Sequence, residues 1–180
     1  MALATRPGKI IIWGSWNGIV PADGEALRRS AHILRFFGRL GFTQSPGWEP
    51  HAPEVLQSHA VFGSRWPLGE ETLWTLVNRG SRNVSGAQLR LQQLQSQVAL
   101  HYYDCYHGTP LHPTTFARTT LSSSNASAGA GAGDGMGSSD TGTIAIDTIE
   151  LSFPIEGLGF GCVFATPANP QRQPFDNNGI

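Results

Sequence analysis

The sequence predicts a mainly β protein, an antiparallel β-sandwich preceded by one βα unit. Two observations carry this. Seven short runs of strand composition follow one another with no helical pattern between them: AVFGSRW, TLWTLVN, QLRLQQL, VALHYYDCY, TTFARTTL, TIELSFPI and FGCVFAT. Polar or Gly/Pro turns such as PLGEE, NRGSRNVSG and IEGLG separate them, as in sandwiches. Ahead of them stands a single strand-like run followed by a helical one. The length of 180 residues suits one domain, or one domain plus part of another, and 22 Gly with 12 Pro agree with many turns.

KIIIW is a short continuous apolar run, as in a strand buried on both faces. The loop GSWNGIVPADG follows, and Asp23 is placed to cap the helix GEALRRSAHILRFFGRL. Leu27, Ala31 and Leu34 recur at helical spacing, widened by Ile33, Phe37 and Leu40, while Arg28, His32, Arg35 and Arg39 form a solvated face. Gly41 closes the helix as a C′ glycine does. One βα unit cannot bury its own two apolar faces. It is expected to dock incompletely on the sandwich, through Trp48 and its neighbours Glu49 and His51 in the Pro-rich connector SPGWEPHAPEV. In TLWTLVN both alternating faces carry apolar residues, which places that strand centrally. Residues 122–143, SSSNASAGAGAGDGMGSSDTGT, have almost nothing to bury and read as a disordered insertion between two strands, and residues 167–180 read as a tail or linker.

Composition excludes several roles. Charged residues make up 14% of the chain and the net charge is −1, so no global field recruits nucleic acid or an acidic membrane. No apolar run approaches the length of a membrane span, and the first residues lack the cleavage pattern of a signal peptide. Two cysteines, Cys105 and Cys162, neither demand nor exclude a disulfide, and the tripeptides at Asn83 and Asn125 matter only in a secreted chain.

The densest chemistry lies in HYYDCYHGTPL, residues 101–111. Cys105 with His107 gives one local pair of metal-ligand type, on one face of a strand, but a structural zinc site wants four ligands and no second tight pair exists. The same pair is a poor nucleophile and base, because same-side neighbours on a strand rarely reach hydrogen-bonding geometry. No metal or cofactor is therefore expected. The stronger reading is structural: a strand alternating through Tyr106, then a turn at residues 107–110, with Asp104 accepting backbone N–H bonds at the corner.

YYDCYHGTPL resembles the aromatic–Tyr–Asp segment, followed by aromatic–x–Gly, of the all-β domain behind the catalytic barrel of glycoside hydrolases such as α-glucosidase-type enzymes. There it forms a structural hairpin outside the catalytic centre. GEETLWTLVNRGSRNVSGAQLRL, with a strand ending at Leu76–Val77–Asn78–Arg79, and IEGLGFGCVFAT resemble strands of the same domain in the same order. WGSWNGIVPADGEALRR and SPGWEPHAP also resemble segments of bacterial chains that carry a formylglycine-generating-enzyme-like (sulfatase-modifying-factor) domain. The resemblance spans roughly residues 9–121 and 144–166.

The resemblance implies that residues 1–45 are the terminal βα unit of a (β/α)8 barrel and 46–166 a β-sandwich domain. It implies a non-catalytic accessory domain of a carbohydrate-active enzyme, with the rest of that barrel and carbohydrate as its candidate partners. The alternatives are an independent carbohydrate-binding module and an interaction domain of a formylglycine-generating-enzyme-like protein. No acid–base carboxylate pair sits at strand ends, so no catalytic residue is assigned. If the barrel strand is KIII, its C-terminal end presents Trp13, Trp16 and Asn17, residue types that stack on and hydrogen-bond to sugars; simple packing of the tryptophans is the plainer reading. Exposed coplanar aromatics on one sheet face favour the binding module, and buried aromatics favour the accessory role.

Overall fold

The computed structural model describes residues 21–56, 60–94, 99–122 and 143–168. KIIIW, the candidate sugar contacts Trp13, Trp16 and Asn17, nearly all of the Gly/Ala/Ser-rich insertion, and the tail from residue 169 lie outside the described residues. What is described is mainly β with antiparallel sheets. All seven expected runs form strands, and two short strands add to them. In chain order the elements are α1 (Pro21–Arg39), β1 (Glu49–Pro50), β2 (Val61–Leu68), β3 (Glu71–Asn78), β4 (Ala87–Leu94), β5 (Leu100–Asp104), β6 (Thr109–Leu111), β7 (Thr114–Ser122), β8 (Thr143–Ser152) and β9 (Phe160–Pro167).

A six-stranded sheet has the order β1-β2-β3-β9-β5-β6, and a three-stranded sheet the order β4-β8-β7. Alternation along the central strands decides how the layers stack. On β9, Val163 and Ala165 point toward the three-stranded sheet, while Phe160, Cys162 and Phe164 point the other way. β3 divides likewise: Trp74 and Leu76 meet Leu89, Leu91, Ile149 and Leu151 across the sandwich, and Leu73 faces the opposite side. The placement of TLWTLVN as a central strand therefore holds.

Helix α1 covers the second face. Ile33 and Phe37 are buried against Leu73, Phe160 and Phe164, joined by Phe42 from the single 3-10 turn that follows the helix. The Phe37 ring stands 5.1 Å from that of Phe164 and 5.5 Å, edge-on, from that of Phe42. The described part of the N-terminal unit thus docks directly on the sheet with its own aromatic residues, and Trp48 of the connector packs against the same cluster. The face it uses is one side of the expected stripe, the side that holds Ile33 and Phe37. Leu27, Ala31 and Leu34 are only half-buried, Leu40 is exposed, and the buried line runs through Ser30, Ile33 and Phe37. Nearly every side of this helix carries an apolar residue, and the sheet's aromatics select the side that holds Phe37. The basic side is solvated as expected, with Arg28, His32, Arg35 and Arg39 all exposed.

Two helix-end readings resolve differently. The helix begins at Pro21, so Asp23 lies within its first turn and not ahead of it. Gly41 does close it: its φ of 95° is left-handed, and its N–H donates to the Gly38 carbonyl at 3.1 Å. In the connector, Trp48 packs on Trp66 with ring centroids 5.6 Å apart, and Glu49 forms part of β1, paired on β2. Both serve the chain's own sheet. Strand β8 begins at Thr143, ahead of the run TIELSFPI, and is paired by β7 from Thr143 to Glu150. Asn78 ends β3 fully buried and spends its amide completely: Nδ2 donates to the carbonyls of Arg82 and Glu156, and Oδ1 accepts from the Gly80 N–H.

Because Phe37 is the centre of the helix contact, Phe37→Ala should destabilise the protein by about 3–5 kcal/mol. Urea unfolding followed by circular dichroism measures this; a loss of less than about 1 kcal/mol would show that α1 contributes little to the folded state.

Candidate functional site

Two places concentrate polar chemistry: the corner within residues 101–111, and a cleft between the two sheets. At the corner, β5 stops at Asp104 and residues 105–108 turn into β6, which pairs back on β5 with Asp104 opposite Thr109. Cys105 and His107 therefore sit in a turn and not on one face of a strand, so the expected alternation ends at Asp104. The Asp104 side chain, 1% exposed, holds the turn: Oδ1 accepts from the N–H groups of Tyr106 and His107 at 3.0 and 3.1 Å, and Oδ2 lies 2.6 Å from His107 Nδ1. The corner role expected of Asp104 is present, with His107 as an added partner.

His107 thus faces a carboxylate. The Cys105 N–H donates to the Cys162 carbonyl at 2.8 Å, and its thiol donates to the Tyr103 carbonyl at 3.7 Å. Burial, and then the neighbouring Cys162, push the Cys105 thiol well above its usual pKa and so keep it protonated. Tyr106 completes the corner. It is buried in the helix-side core, and the Arg29 guanidinium of α1 lies 5.2 Å above its ring. The corner is a seat for the helix. Among the described residues, no group of three or more His, Cys, Asp or Glu side chains is placed to hold a metal ion.

The cleft, about 610 Å³, lies where the sheets part beside β4, the edge strand of the smaller sheet. The connector bridges the sheets there: the Leu56 N–H donates to the Gln88 carbonyl and the Arg90 N–H to the Glu54 carbonyl, covering the free edge of β4 up to Arg90. Past Arg90 that edge, at Leu91, Gln92 and Gln93, borders the cleft instead. On the other wall stand Arg65 of β2, Trp74 of β3, and Leu100 and Tyr102 of β5. Arg65 is held between two carboxylates, Nη1 at 2.9 Å from Glu54 and Nη2 at 2.9 Å from Glu49. Arg90 pairs with Glu150 at 2.7 Å, and its guanidinium lies 4.4 Å above the ring of Phe116. Burial alone raises the Tyr102 phenol to about 12, so it stays protonated and able to donate.

Sequence reasoning did not single out this cleft. A faint signal was available, since Arg65 alternates with Val61 and Gly63 on the core-facing side of β2. A charge there needs a partner, and the partner lies outside the strand, in the connector. The aromatic criterion is clearer. Trp66, Trp74, Tyr102 and Tyr106 are all buried, and Phe116 is the exposed aromatic of the strands. A register shift between Thr115 and Ala117 leaves Phe116 unpaired on the strand.

Compared with known proteins, the chain matches no protein-family model, no curated protein and no solved structure.

Asp104→Ala should lower the unfolding free energy by about 3 kcal/mol, because two backbone N–H groups and His107 lose a buried partner together. His107→Ala should cost less, since the two backbone bonds remain. Equal losses from the two substitutions in urea titrations would show that the histidine contact, not the turn, fixes the corner.

Proposed function

We propose that this chain is a non-catalytic accessory β-sandwich of a carbohydrate-active, glycoside-hydrolase-like enzyme. The observation that carries the proposal is the hairpin β5–β6. Its sequence is the segment that resembles the all-β domain of those enzymes, where it is a structural hairpin outside the catalytic centre, and here it forms a hairpin whose corner is held by the buried Asp104. Asp104 and His107 are committed to each other and to the turn, and Cys105, half-buried, donates its N–H to the Cys162 carbonyl and its thiol to the Tyr103 carbonyl. The buried aromatics support the same reading, because Trp66, Trp74, Tyr102 and Tyr106 are buried and, among the described residues, no row of exposed rings stands on a sheet face. On this reading α1 is the last helix of a (β/α)8 barrel, and the outer face of the six-stranded sheet is where barrel and sandwich meet. The helix contact through Ile33 and Phe37 then serves as the joint between the two parts.

Sequencing the transcript on both sides of the reading frame tests this directly. The proposal expects further βα units upstream, ending in the strand that precedes α1. An unrelated domain at that place contradicts the barrel assignment. Purified chain should also release no nitrophenol from a panel of nitrophenyl glycosides, and turnover abolished by Asp104→Asn would overturn the non-catalytic role.

A further inference from the structure

The two cysteines of the chain face each other across the sheet, and strand register is what brings them together. β5 runs antiparallel beside β9 with Tyr103 opposite Phe164 and Asp104 opposite Val163, so the next position sets Cys105 opposite Cys162. The Cys105 N–H donates to the Cys162 carbonyl at 2.8 Å and holds the two backbones together there, although Cys105 already belongs to the turn. Alternation assigns the side chains to one face. Tyr102 and its partner Ala165 belong to the sandwich core, Tyr103 and Phe164 to the helix-side cluster, and Cys105 and Cys162 to that same helix-side cluster. Facing residues joined by a hydrogen bond in an antiparallel pair have Cα atoms about 5.5 Å apart. That lies within the roughly 4.4–6.8 Å that a disulfide spans. Both thiols are free, and the chain holds no third cysteine to compete for either.

We propose that Cys105 and Cys162 are a redox modification site, which a small-molecule disulfide of the glutathione type converts into a reversible cross-strand disulfide stapling the hairpin corner to β9. Cys105 is half-buried and Cys162 is buried, so Cys105 meets the oxidant first. Its thiol gives up a proton, and the thiolate attacks one sulfur of oxidised glutathione. A mixed disulfide forms on Cys105, and one glutathione leaves as thiolate and takes up a proton. The Cys162 thiolate then attacks the Cys105 sulfur, which forms the Cys105–Cys162 bond and expels the second glutathione. Two protein thiols lose two electrons, and one glutathione disulfide is reduced to two thiols. Because burial keeps the Cys105 thiol protonated, the first attack is slow at neutral pH and quickens as pH rises. The bond closes where Asp104 ends β5 and Tyr106 lies under Arg29, so oxidation fixes the seat of α1. The inference does not rest on the accessory role, since it needs only the pairing of two strands.

The test is redox titration of the full chain in mixtures of reduced and oxidised glutathione, approached from two sides: from the reduced folded chain, and from chain oxidised in urea and then refolded. Remaining thiols are blocked with iodoacetamide and counted by intact mass, and peptide mapping locates the link. One Cys105–Cys162 bond within a chain should form, and dithiothreitol should return it to two thiols. The effective concentration of one thiol at the other should be at least about tenfold higher in the folded chain than in urea, because folding already holds the pair opposite each other. Cys162→Ala should halt at a single glutathione on Cys105. The assignment is overturned if the folded chain ends with two free thiols from both starting points, if it ends in glutathione adducts or in links between chains, or if the bond closes as readily in urea as in the fold. Each of these failures leaves the accessory role standing, whereas an unrelated domain upstream of α1 sinks that role without touching the cysteine pair.

Discussion

The fold depends on the adjacent pair β3 and β9 being apolar on both faces. A strand with one wet face needs a single partner layer, but Leu73, Trp74, Leu76 and the run from Phe160 to Ala165 need two. The three-stranded sheet covers one side and α1 the other, so the molecule has three layers with the six-stranded sheet in the middle. Each fully buried large side chain adds about 1.5–3 kcal/mol relative to exposure, and the two cores draw on the same two strands for a large share of it. Losing either outer layer would leave several of these residues in water.

The polar features follow from that arrangement. The corner at Asp104 ends β5 just where the helix side of the sheet must hold Tyr106 under Arg29, so its hydrogen bonds act as a seat for α1. Gly63 shows how close the layers come: a Cβ there would stand 2.8 Å from Val55 and 3.1 Å from the Thr75 carbonyl, so the connector can bridge the sheets only over a glycine. That bridge stops at Arg90, and where it stops the sheets part and the cleft opens. The smaller sheet is also the less regular one. Register shifts beside Gln88 and Phe116 bend its two outer strands around β8.

Much of this could be read in the sequence, for reasons that are local. Strand composition and turn residues mark each of the seven main strands, apolar residues on both faces of TLWTLVN mark the centre, and Asp104 before a Gly/Pro turn marks the corner. The order of strands could not be read, because β3 lies beside β9, its partner across most of the sequence, through pairings that no local pattern encodes. The helix stripe was legible in part for a related reason: it held Ile33 and Phe37 but also Leu27, Ala31 and Leu34, and only the distant Phe164 and the nearby Phe42 select the side that is buried. The cleft was hidden because Glu54, Arg65 and Trp74 come from separate elements and look unremarkable in each. Only the three-dimensional register brings these residues to one cleft.

The most direct measurement is native-state amide hydrogen exchange, comparing α1 around Ile33 and Phe37 with β3 from Leu73 to Val77. If the central sheet needs both covers, the two segments open together, and their slowest amides should exchange with the same free energy and the same denaturant dependence. If the helix amides instead exchange through a separate opening of much lower free energy, while β3 stays protected, the sheet does not depend on its helical cover and the three-layer account fails.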